Sequence, residues 1–200
     1  MISPRRHGSL DCPGSNGLTG TLEQPASSAI YVQPANEDDV ELDLPRLLAT
    51  LDRHGVTYVL IGGLAAVYHG SPFPTEDADI TPDTDPVNLG RLASALRELK
   101  ARIRVDGMPE GLEFACDVEA LAAAQTWNLV TDAGDIDIAF RPSGTRGYAD
   151  LRRDAIAAEI YDVTVEIASL ADVIRSKQAA NRPKDLRVLP TLREILARNS

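Results

Sequence analysis

Residues Val59 to Ile80, VLIGGLAAVYHGSPFPTEDADI, decide the fold. Val59, Leu60 and Ile61 form an apolar run that stops at Gly62-Gly63, and Leu64, Ala65, Ala66 and Val67 follow as helix formers before His69-Gly70 ends the segment. The pattern predicts strand, glycine turn, short helix, loop and strand. A strand entering a helix through two glycines leaves the first helical N–H groups unpaired and lets a ligand approach the backbone, as a phosphate site requires. Asp77 and Asp79 stand two apart in an alternating segment, so as strand residues they point both carboxylates to one face. Convergent carboxylates beside a phosphate cradle predict a divalent cation and phosphoryl chemistry.

Working outward on the N-terminal side, Leu44, Leu47, Leu48 and Leu51 repeat at helical spacing and Gly55 stops that helix. Residues 1–42 carry neither period, are punctuated by Gly, Pro and Ser and end in the acidic run Glu37-Asp38-Asp39. Such a segment buries too little apolar surface to offset its ordering entropy, and it is expected to be a disordered extension before a domain over 43–200.

On the C-terminal side, Asp85-Pro86 open a helix whose face is Leu89, Leu92, Leu96 and Leu99. A short strand is expected near Ile103–Val105, an irregular loop over 107–111 and a helix over 118–124. Strands are expected at Trp127–Thr131 and Asp135–Phe140 around the turn at 132–134, the second placing Asp135 and Asp137 opposite Ile136 and Ile138. If that strand pairs beside Asp77 and Asp79, a third carboxylate joins them. A helix near 148–155, a hairpin over 157–168 and two helices, 169–181 and 183–199, complete the chain, with Ser169 and Asp172 as a capping box. The penultimate helix puts Lys177 on its apolar stripe with Leu170, Val173 and Ile174, where a lysine either snorkels to water or meets an anion.

The net charge of −10 argues at first against a nucleic-acid partner. Its distribution alters that reading. Residues 1–140 hold 9 Lys and Arg against 22 Asp and Glu, whereas residues 141–200 hold 11 against 8. No apolar run approaches the roughly 20 residues a bilayer span needs, and Arg5-Arg6 precede no apolar segment of a secretion signal; a cytoplasmic protein without membrane contact is expected. Cys12 and Cys116 match no metal or redox spacing, so no disulfide is expected.

Together Gly62-Gly-Leu-Ala-Ala, His69-Gly-Ser71, Thr75-Glu-Asp77-Ala-Asp79, Gly134-Asp-Ile-Asp137, Ser176-Lys177 and Arg182-Pro-Lys184-Asp185 resemble the AbiEii/MenT-type nucleotidyltransferases, the toxin halves of bacterial toxin–antitoxin pairs. The resemblance covers roughly residues 44–195. It implies an α/β (α+β) polymerase-β-like nucleotidyltransferase fold, a mixed sheet flanked by helices with a helical C-terminal portion. It further implies that Asp77 and Asp79 hold Mg²⁺ on a nucleoside triphosphate, that Asp137 completes the metal site, and that Lys177 and Asp185 serve the triphosphate and the cleft. A Thr75 hydroxyl beside the metal aspartates is, in such a family, a site open to regulatory phosphorylation. The chain departs from many relatives in carrying Phe73-Pro74 where they have an arginine shortly before Thr-x-Asp.

Each piece alone has a plainer reading. Gly-Gly after a strand is more often a tight connection than a phosphate site, acidic pairs more often solvated strand faces, and lone lysines more often snorkelling side chains. His69 and Asp135 keep such readings. What favours chemistry for the others is their order and spacing along one mechanism. That mechanism is Mg²⁺-assisted transfer of a nucleoside monophosphate from an NTP. Gly62, Gly63, Ser71, Thr75 and Lys177 are expected to bind the nucleotide, and the resemblance implies that the acceptor is an RNA, the tRNA 3′ end. Arg152, Arg153, Arg182 and Lys184 are expected to contact that RNA beside Lys177, and a cognate antitoxin protein to bind the enzyme. The alternatives are transfer to a small molecule or a protein side chain, or a catalytically silent binding partner.

Overall fold

The leucines at 44, 47, 48 and 51 fall on one side of helix α1 (Leu44–Arg53), each at most 1% exposed, and Asp43 caps the first turn by accepting a hydrogen bond from the Arg46 N–H at 3.1 Å. Burying such side chains contributes about 1.5–3 kcal/mol each. Helix α1 opens the computed structural model, which describes residues 41–199. The expected extension therefore lies outside the described residues except at its end, together with Cys12. Leu42 is buried, and the Asp43 N–H donates to the Ala133 carbonyl at 3.1 Å, so the folded body already includes Leu42.

The stretch over 59–80 forms strand β1 (Tyr58–Leu60), helix α2 (Gly62–Tyr68) and strand β2 (Asp77–Pro82). Then come α3 (Pro86–Glu98), β3 (Arg102–Val105), β4 (Met108–Leu112), α4 (Val118–Ala123), β5 (Thr126–Thr131) and β6 (Gly134–Ala139). The chain continues through α5 (Tyr148–Leu151), one 3-10 turn (Arg152–Asp154), β7 (Ile156–Ile160), β8 (Val163–Ile167), α6 (Leu170–Ala180) and α7 (Pro183–Arg198). Asp85 caps α3 as expected, its carboxylate accepting from the N–H groups of Val87 and Asn88. Ser169 caps α6, accepting from the Asp172 N–H at 3.2 Å.

The strands make one mixed sheet in the order β4-β3-β5-β6-β2-β1-β8-β7. Its centre positions the site: β2 runs parallel to β6 and antiparallel to β1, while β5 pairs antiparallel to β6. The period-2 alternation of β6 is realised in burial, with Ile136 and Ile138 fully buried and Asp135 and Asp137 on the other face. Leu92, Leu96, Leu121, Leu129 and Ile80 belong to the same core.

Two expected elements differ. The loop expected over 107–111 is the edge strand β4, which pairs with β3 through an irregular register. Gly107, Pro109 and Gly111 read as breakers, yet an edge strand tolerates proline because one row of its N–H groups needs no partner. The helix expected near 148–155 tightens into its 3-10 turn after Leu151.

Candidate active site

Parallel pairing of β2 with β6 sets Asp77 opposite Asp135 and Asp79 opposite Asp137, and β5 sets Asn128 opposite Asp137. Carboxylate oxygens of Asp77, Asp79 and Asp137 come within 4.8 Å of one another, the third carboxylate joining as expected. Asp135 turns instead to an ion pair with Arg104 of β3. Arg104 also donates its other Nη to Asp137 Oδ1 at 2.8 Å, gripping both acids of β6.

Burial and the neighbouring charges of Asp77 and Asp137 push the Asp79 pKa up to about 7, against the lowering by the Gly63 N–H and Lys177. Asp137 is pushed up to about 6, chiefly by burial; Arg104 pulls it back, and Asp77 and Asp135 add to the rise. Acids that resist full ionisation in this way are ones whose charged form a cation would stabilise.

The glycine turn is shaped around these acids. Gly62 has φ +63°, and a Cβ there would lie 1.9 Å from Asp79 Oδ2; a Cβ on Gly63 would lie 2.3 Å from Thr75 Oγ1. The Gly63 N–H donates to Asp79 Oδ2 at 3.3 Å, so the close approach that requires glycine is made first by the chain's own carboxylate. Thr75, 9% exposed, donates its hydroxyl to Asp77 Oδ1 at 2.9 Å. Buried Ser71 accepts from the Phe73 N–H. His69 contacts the Ala168 carbonyl through Nε2 at 2.8 Å, a structural hydrogen bond.

Lys177 lies on α6 with its side chain 16% exposed and its Nζ 3.4 Å from Asp185 Oδ1. Asp185, in the first turn of α7, is fully buried and also accepts from Arg182 Nε at 2.6 Å. Burial pushes the Asp185 pKa up, but the Arg182 hydrogen bond and the Lys177 charge outweigh it and hold the carboxyl below the usual range. The buried acid thus fixes two cations of adjacent helices at one place.

These groups share a cavity of about 560 Å³. The three aspartates meet Gly62, Gly63, Ser71 and Thr75 in its wall, and Lys177, Arg182 and Lys184 complete it, with Asp185 behind them. Arg152 and Arg153 do not line it. They sit on the 3-10 turn, where Glu166 accepts from Arg152 Nε at 3.1 Å and Asp150 accepts from Arg153 Nη2 at 2.8 Å, and both face a second cavity of about 900 Å³. The expectation that they stand beside Lys177 is thereby corrected: two carboxylates of their own neighbourhood draw them to the other side.

Sequence reasoning missed Arg104 and Asp172. Asp172 lines the acidic cavity and binds Arg175 at 2.8 Å, and Arg175 reaches on to Asp150 at 2.9 Å. Arg104 had a signal in the alternation Arg102-Ile103-Arg104, but only the strand order places it two strands from Asp137.

The fold is that of the nucleotidyltransferases. It is similar to the lincosamide antibiotic adenylyltransferase LnuA in its lincomycin-bound crystal structure, with a TM-score of 0.50 and 18% identity over 78% of this chain and 99% of that one. A nucleotidyltransferase-assigned protein of Thermotoga maritima gives a TM-score of 0.46 and 17% identity over 78% of this chain and 91% of that one. No family model and no curated protein sequence matches the chain. Among the described residues, no helix is long and apolar enough to cross a membrane.

Proposed function

We propose that the protein is a metal-dependent nucleotidyltransferase that moves a nucleoside monophosphate from an NTP to an RNA hydroxyl, the 3′ end of a tRNA, acting as a translation-blocking toxin restrained by a cognate antitoxin protein. The observation that carries the chemistry is the trio of carboxylates sharing one cavity with Lys177. An all-oxygen donor set within 4.8 Å, with one member's pKa raised to about 7, fits a hard divalent cation such as Mg²⁺, and Asp77, Asp79 and Asp137 would hold it. When bound, the cation supplies neutralisation of charge at the α-phosphate and on the leaving pyrophosphate.

The chain's own groups do the remaining work. Lys177, steadied by Asp185, binds the β- and γ-phosphates. The Gly62 N–H and the Ser71 hydroxyl serve the same phosphates, while the Gly63 N–H is committed to Asp79. Arg104 and the β6 backbone hold Asp137 so that its carboxylate takes the proton of the attacking hydroxyl. The hydroxyl oxygen bonds to the α-phosphorus, and the bond from that phosphorus to the bridging oxygen breaks. Pyrophosphate leaves with the electron pair. Arg182 and Lys184 support an RNA acceptor, because a chain of net charge −10 places them in the wall of this cavity.

The test is incubation with each α-labelled NTP, Mg²⁺ and total bacterial RNA, separating labelled RNA from small products. Label on tRNA is the expected result. Label only on a small hydroxyl compound or on protein would overturn the acceptor, and failure to release pyrophosphate from any NTP would overturn the enzyme.

A further inference from the structure

Beyond the acidic site, the larger cavity of about 900 Å³ has no role in the chemistry described above. It lies past the C-terminal ends of β2 and β6, between Asp83-Thr84, Phe140-Arg141 and the segment from Arg146 to Arg153. Arg141, Arg146, Arg152 and Arg153 line it with Asp83 and Glu166, and Asp150 pairs with Arg146 and Arg153, so Arg141 is the cation of the four without a carboxylate among the described residues. Arg141 lines both cavities, so the two adjoin at that residue. Its exposed side chain makes no hydrogen bond or ion pair among the described residues, whereas the others are held by Glu166 or Asp150.

A second observation points to a ligand. Tyr148 lines the same cavity at 8% exposure, and its buried hydroxyl has no hydrogen-bond partner among the described residues; Glu166 stands beside it without the geometry of one. Leaving such a group unpaired costs stability, and a ligand that supplies its partner recovers that cost. Phe140 and Leu89 give the cavity apolar wall beside these polar groups.

We propose that this second cavity binds the single-stranded end of the RNA acceptor upstream of the reacting nucleotide. The terminal hydroxyl enters the acidic cleft, the next phosphate lies on Arg141, and the nucleotide behind it enters the cavity with its phosphates toward Arg146 and Arg152 and a polar group on Tyr148. An unpaired arginine where two arginine-lined cavities adjoin suits a phosphodiester chain, which uses a cation at each step, whereas a neutral or cationic small acceptor needs none there. This inference rests on the RNA reading of the function and locates the acceptor within it.

The experiment uses the full chain, a 5′-fluorescein single-stranded RNA of twelve nucleotides ending in CCA, total tRNA, and whichever NTP the wild-type protein transfers. Two variants are compared with wild type: Arg146→Gln with Arg152→Gln, and Tyr148→Phe. For the double variant, KM for RNA should rise about tenfold or more, and the log–log salt slope of RNA binding should shrink by about 0.7 for each phosphate that is no longer neutralised. Binding of labelled NTP without RNA should be unchanged. Tyr148→Phe should melt at or above the wild-type temperature, since it removes a buried unpaired hydroxyl, while weakening RNA transfer several-fold. Unchanged RNA KM and salt slope in both variants, beside normal wild-type transfer, would overturn this inference and leave the proposed function standing. Wild-type transfer to a small hydroxyl compound and to no RNA would overturn both. Transfer to such a compound impaired by the same variants would reassign the cavity to a small acceptor.

Discussion

Asp79→Asn separates a metal-binding carboxylate from a merely buried one, because the two roles move stability and turnover in opposite directions. Asp79 stands beside Asp77 and Asp137 with its pKa pushed up to about 7, so in the metal-free protein above that pH its charge opposes folding. The sign follows from proton binding. The folded state holds a proton on this group that the unfolded chain has lost, so stability falls as pH rises from about 4 towards 7 and stays low above. A rise from 3.8 to about 7, at about 1.4 kcal/mol per pH unit, sets a ceiling of about 4 kcal/mol; partial solvation at the cavity wall brings the expected gain to about 1–3 kcal/mol. Asparagine keeps the size and still accepts from the Gly63 N–H. In EDTA at pH 8 the variant should therefore melt several degrees above wild type, at about 2–4 °C per kcal/mol for a domain of this size. At pH 4.5, only about 0.7 unit above the unfolded-state value of 3.8, the difference should shrink to about a quarter, and below about pH 3 it should vanish. Added Mg²⁺ should raise the wild-type midpoint and leave the variant's almost unmoved, while turnover falls by on the order of 10²–10³. Calorimetry over a pH series with and without Mg²⁺, alongside pyrophosphate release, reads all of this. A variant that melts lower than wild type at pH 8 in EDTA, or that keeps Mg²⁺-dependent turnover, would refute the reasoning.

Lys177→Met keeps the apolar stem and deletes the charge, so KM for NTP should rise at least tenfold; Asp185 keeps Arg182 as partner, which limits the melting change to a few degrees in circular dichroism. Gly63→Ala drives a Cβ to within 2.3 Å of the Thr75 hydroxyl, and Thr75→Ala removes that oxygen but leaves its own Cβ 2.6 Å away, so the double variant should regain only part of the melting loss of Gly63→Ala in the same assay. A chain beginning at Glu41 retains Leu42 and the Asp43 cap, and should match the full chain in midpoint and turnover.

The two periodic signals were legible wherever one face alone is buried. Leu44, Leu47, Leu48 and Leu51, or Ile136 and Ile138 against Asp135 and Asp137, place their elements within a residue or so because every step of the pattern carries hydrophobic energy. β4 was illegible for the converse reason. Its residues are mostly exposed, so its breakers outweighed a pairing that only β3 supplies. The acid cluster was readable because Asp77 and Asp79 are local and the β6 alternation selects Asp137; the parallel β2–β6 register then brings their carboxylate oxygens within 4.8 Å of one another.

What stayed hidden depends on which strand lies beside which. Arg104 grips Asp137 only because β5 alone intervenes between β3 and β6, and no spacing along the chain encodes that order. The same holds for the arginines. Composition separates a basic last third from an acidic body, but the partition of its cations between two cavities is set by the acids each one meets. Asp185 draws Lys177 and Arg182 to the acidic cleft, while Asp150 and Glu166 draw Arg146, Arg152 and Arg153 past the strand ends. Arg141, tied to neither set, stands where the cavities meet, so an anionic chain crossing from one to the other must pass an arginine that it need not win from a carboxylate.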